Sequence, residues 1–83
     1  MALHLIFHSD SLEDCILSAD PGDDFVLIGD GVNAQEKLSV AAFILKSDAE
    51  SRGTMVPSPH KFINTAGLAD LTEKHEKIVS WPA

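Results

Sequence analysis

The sequence predicts an α/β domain on a mainly parallel sheet, and two observations lead there. Residues 3–7, 25–28 and 40–45 are short apolar runs, rich in β-branched and aromatic residues, with no polar alternation. That is the pattern of strands buried on both faces. Helix-starting and helix-ending residues lie between the runs, so strands and helices alternate along the chain. At 83 residues the chain is expected to be one small domain, residues 1–83, with helices on both faces of four or five strands.

"LHLIF" (residues 3–7) is too short for a helix and reads as the first strand. Ser11 then offers an N-cap, and Leu12, Cys15, Ile16 and Ala19 follow at the spacing of one apolar helix face. Pro21 and Gly22 break the chain. "FVLI" (25–28) is the second strand, and "GDG" (29–31) turns the chain at its carboxyl end. The polar stretch 33–39 has room for one or two helical turns before the third strand, 40–45. Ser47 to Gly53 reads as a short exposed helix with a glycine stop. "VPSPH" (56–60) is a proline-rich loop, and "KFIN" (61–64) a short fourth strand. Leu68, Leu71 and His75 share helical spacing. Ile78, Val79 and Trp81 form an edge strand closed by Pro82. Right-handed crossovers join such strands. A parallel crossover takes a dozen or more residues, and only 33–39 lie between Val32 and Val40. The pairing order at that connection stays open.

Thirteen acidic residues against six basic ones give a net charge of −7, a surface that repels phosphate backbones. Direct nucleic-acid binding is therefore not expected. No apolar run reaches the length of a membrane span. The start, "MALHLIFHSD", has neither a basic stretch nor a small-residue cleavage site, so no signal peptide is expected. A lone cysteine fits a reducing compartment, and the cytoplasm is the expected location. A core of this size supplies roughly 3–5 kcal/mol, and one cysteine allows no internal disulfide. Self-association of the isolated chain is expected as further burial.

Several residues invite chemical readings. "GDGVNA" (29–34) matches the G-x-G-x-x-A form of a dinucleotide phosphate loop. It follows the second strand of a short chain instead of the first strand of a long one, so a tight turn is the better reading. Asp30, at the carboxyl end of a parallel strand, lies where α/β sheets place ligands and is expected to line a cleft. His4 and His8 have ligand spacing for a helix, but on a strand they stand about 13 Å apart, too far for one metal ion. His75 sits in the charged stretch "EKHEK" and is expected at the surface; His60, after two prolines, has no reading. No cofactor or metal is expected. Trp81, the only tryptophan, is expected either at a subunit contact or packed on its own core.

In order along the chain stand Leu3–His4, Ser11 with Cys15, Asp30–Gly31–Val32, Arg52–Gly53, Ala69–Asp70–Leu71–Thr72, Lys74–His75 and Ser80–Trp81. Each piece is weak alone. Their order and spacing over nearly the whole length resemble the DsrH/TusB family of small sulfur-relay subunits, in the DsrE-like fold group. The segment after "DGV" is shorter than in that family. The resemblance implies a subunit that acts beside DsrE/TusD-like and DsrF/TusC-like partners and passes persulfide sulfur between proteins. It implies that the sulfur ends in 2-thiouridine of tRNA or feeds sulfur oxidation. It also makes Cys15 the candidate persulfide site.

The residues around Cys15 pull two ways. The first turns of a helix lower a thiol pKa, and a relay needs the thiolate. Asp10, Glu13 and Asp14 oppose a further anion, and the apolar face suits a buried, inert thiol. Two alternatives stand beside a persulfide carrier. One is a non-catalytic assembly subunit with an inert cysteine. The other is a small ligand- or nucleotide-binding domain using the "GDG" turn.

Overall fold

The computed structural model describes residues 2–34, 41–53 and 60–81. Five strands form one wholly parallel sheet: β1 (Ala2–Ile6), β2 (Asp24–Leu27), β3 (Phe43–Leu45), β4 (Lys61–Ile63) and β5 (Lys77–Trp81). Their spatial order is β4-β3-β2-β1-β5. Three helices accompany them: α1 (Leu12–Ser18), α2 (Lys46–Ser51) and α3 (Thr65–Lys74). Two 3-10 turns, Ser9–Ser11 and Gly29–Ala34, lead away from β1 and β2. The small α/β domain expected from the alternation of elements is what forms.

The strand order explains the layering. From β1 to β4 the chain steps one way across the sheet, and it then returns past β1 to place β5. With a single crossover hand, the return helix must lie on the opposite face from the others. One face accordingly packs Ile6, Phe25, Leu27 and Ile44 against Leu12 and Cys15 of α1 and Ala49 of α2. The other packs Leu3, Val26 and Ile63 against Leu68 and Leu71 of α3. β5 is an edge strand, paired along its length with β1 from Ala2↔Lys77 to Ile6↔Trp81.

The second connection is resolved by where the strands end. β2 stops at Leu27 and β3 starts only at Phe43, so residues 28–42 bridge them, enough for a parallel crossover. β2 pairs β3 directly, Val26 with Phe43 and Leu27 with Ile44. The polar stretch 35–39, Val40, all of "VPSPH" but His60, and Pro82 lie outside the described residues.

Several local expectations are corrected. β1 ends at Ile6, and Phe7 is exposed beyond it. Ser11 makes no side-chain cap; it is already αR because the 3-10 turn feeds straight into α1. The capping acceptor is the His8 ring, whose Nδ1 receives the Asp10 N–H at 3.2 Å. Ile16 does not join the buried stripe of Leu12 and Cys15 and is 43% exposed, because grooves flank α1 on both sides. His75 is not at the surface. Its ring is nearly sealed, with one nitrogen 2.7 Å from the Leu71 carbonyl oxygen and the other 2.8 Å from the Asp24 carboxylate. That contact fastens the end of α3 to the amino end of β2.

The two glycines of "GDG" do different work. Gly29 has φ +57° and needs freedom from a Cβ, with open space around it. A Cβ on Gly31 would collide with the Ile6 carbonyl carbon and oxygen, which are backbone and cannot swing aside. Gly31→Ala is therefore expected to cost about 3 kcal/mol or more, the severe end of overpacking. Gly29→Ala is expected to cost only about 1–2 kcal/mol of backbone strain. Denaturant titration of the two variants checks the ranking.

Candidate functional site

Cys15 is placed by α1, whose inner stripe faces the sheet. The thiol is fully buried among Leu12, Phe25, Leu27 and their neighbours. Burial pushes its pKa up from 9.0 to about 11, and the Asp23 carboxylate adds to the rise. A seven-residue helix with Glu13 and Asp14 in its first turn offers little positive potential against that. At neutral pH this sulfur is a protonated, packed group.

Asp23 is the centre of a second arrangement, at the amino ends of β1 and β2. Its carboxylate accepts from Ala2 N–H at 2.8 Å, from Asp20 N–H at 3.0 Å and from His4 Nε2 at 2.8 Å. These bonds, the Ala2 N–H foremost, hold its carboxyl well below the usual range. The other nitrogen of His4 accepts the indole N–H of Trp81 at 3.0 Å. An indole can only donate, so Nδ1 is bare and the ring proton sits on Nε2, aimed at Asp23. The His4 ring stacks between Phe25 and Trp81, with centroid distances of 5.3 and 6.2 Å. His4 and Asp23 are 3% and 4% exposed, and neither His4 nitrogen is left for a substrate. Trp81 thus packs on its own sheet, with part of its surface still accessible.

Asp30 lies beyond the carboxyl end of β2, as expected. It gathers His8 Nε2 at 3.4 Å, the Ser9 N–H and hydroxyl at 3.5 Å each, and the Arg52 guanidinium at 4.0 Å. The set is half-exposed and loosely spaced, a polar cluster at the strand ends where α/β sheets bind ligands. The neighbouring Gly29 N–H, which a phosphate loop would offer to a nucleotide, is taken by the Asp48 carboxylate at 2.7 Å. The glycine motif is a turn here. Among the described residues, no three or more of His, Cys, Asp and Glu gather to hold a metal ion. None of the helices described is long and apolar enough to cross a membrane.

Sequence reasoning singled out Cys15, Asp30 and Trp81, and the structure places them apart from one another. It missed the partnership of His4 and Asp23. The only signal available was that both flank predicted strand starts, where parallel neighbours in register would meet. The model of a family described as "DsrH like protein" matches residues 6–78. No curated protein matches the chain.

The buried thiol has two measurable consequences. Cys15 in the folded chain should react with a thiol reagent only through unfolding, so its modification rate should climb with denaturant in step with the unfolded fraction. Stability should be insensitive to this group below about pH 9. It should fall as pH rises from about 9 to about 11, because there the unfolded thiol ionises and the folded one keeps its proton. That slope should vanish in Cys15→Ala.

Proposed function

The chain belongs to the DsrH-like family, and on that premise we propose that it serves a sulfur-relay complex as a binding and assembly subunit, with Cys15 in a packing role. The observation that carries this reading is the burial of Cys15. Accepting sulfur as a persulfide requires a thiolate that can reach a donor sulfur in line. A fully buried thiol with a pKa of about 11 meets neither condition.

The partners in this reading are DsrE/TusD-like and DsrF/TusC-like subunits, and sulfur moves on cysteines that they supply. The outlet is 2-thiouridine of tRNA or sulfur oxidation. With a net charge of −7 the chain is a poor surface for tRNA, so contact with the nucleic acid falls to another component. Isolated from its partners, the chain self-associates through its open sheet edges at β4 and β5, which parallel sheets normally keep covered. The cytoplasm is the compartment that suits its unpaired cysteine.

The test is transfer of labelled sulfur through a complex reconstituted from purified subunits. Cys15→Ala should leave the transfer rate within about twofold of the parent, and omission of the chain should lower it through loss of assembly. If the Cys15→Ala complex assembles normally and transfers no sulfur, Cys15 is the carrier and the packing role is wrong.

A further inference from the structure

On the outer face of α1, exposed apolar side chains and a single sign of charge coincide. Leu17 is 84% exposed and Ile16 43%. Ile16 stands between two grooves. One, of about 360 Å³, runs past Ala19, Pro21 and Phe25; the other, of about 290 Å³, runs past Ser9 and Leu12. The accessible charges that border them are Asp20 on one side and Asp10 and Glu13 on the other, Asp23 being nearly sealed and engaged by its own donors. No Lys or Arg is among the residues lining either groove, and none precedes Lys37 in the chain. Leu17 so exposed stabilises nothing within the fold, and leaving it in water has a cost that contact with a partner would relieve.

Resting on the reading of this chain as a relay subunit, we infer that the α1 face, with Ile16 and Leu17 at its centre, docks a partner subunit whose contact surface is apolar in the middle and carries Lys or Arg at its edge. Charge decides the occupant. A second copy of this chain would bring the same acidic border against Glu13 and Asp14, and like charges set face to face oppose association. A basic border gains from them instead, most of all in the rate of encounter. The grooves beside Ile16 give the partner's apolar side chains somewhere to enter. The surface lies directly outside Cys15, so α1 presents a docking face outward and a packed thiol inward.

Calorimetric binding of the full chain to purified DsrE-like and DsrF-like subunits tests this. Leu17→Asp, at a position outside the core, should keep the parent circular dichroism spectrum and weaken binding at least tenfold, the scale of a central anchor. The double variant Glu13→Lys, Asp14→Lys should weaken binding about tenfold at roughly 0.05 M salt. That difference should shrink toward nothing at roughly 0.5 M. Parent-like affinity of a folded Leu17→Asp chain overturns the docking face while leaving the relay reading in place. A parent chain that binds neither subunit overturns the relay reading, and the docking face with it. Self-association of the parent that Leu17→Asp abolishes would put a second copy on this face and overturn the assignment of the occupant.

Discussion

Asp23 sits almost sealed from water with donors from three places in the chain converging on it, and the order of the sheet rests on that convergence. Two of the donors are backbone N–H groups, of Ala2 at the start of β1 and of Asp20 in the loop after α1. The third is the ring of His4, whose far nitrogen receives the indole of Trp81 from the last strand. A buried carboxylate is expensive unless its lone pairs are filled, and here charge-assisted bonds fill them. The geometry therefore fixes β1, the entry to β2 and the end of β5 relative to one another. Strand β5 depends on it most, since it is an edge strand joined to the sheet through β1 alone.

The same carboxylate shapes the chemistry available nearby. Its carboxyl is held well below the usual range, so it is charged at neutral pH, and that charge is felt at Cys15. Burial and this charge act in one direction on the thiol. A thiolate there would need a compensating cation, and the chain supplies no Lys or Arg before residue 37. Burial is the larger of the two influences and the Asp23 charge the smaller, so the anion that secures the first and last strands adds to what the packing already does to the sulfur.

Most of the architecture was legible because it is local. Continuous apolar runs mark strands, and "SDAESRG" and "AGLADLTEK" carry their helical pattern within one segment. What escaped was set by partners distant in sequence. Ile16 has the right spacing for a buried face, but spacing cannot say whether a neighbouring element covers the flank of a short helix. His75 lies in a charged stretch, and its burial depends on Asp24, 51 positions away. The glycine pattern announced a turn, but the demand at Gly31 comes from the Ile6 carbonyl on another strand. His4 and Trp81 stand 77 positions apart and meet only because β1 and β5 pair. The pieces that carried the family resemblance include His4, Trp81 and His75, and in the fold all three are fasteners.

The two ends of the sheet are consequently unlike. At the amino ends, His4–Asp23 is short and shielded on both sides, and His75–Asp24 is equally short, with a nearly sealed ring against a carboxylate that still meets water, one on each face of the sheet. At the carboxyl ends, Asp30 reaches His8, Ser9 and Arg52 over longer distances and in partial contact with water. Tight, dry contacts secure a fold, while loose, wet ones tolerate rearrangement when something binds. Here the firm end also carries the weight that disulfides or a larger core would bear in other small domains.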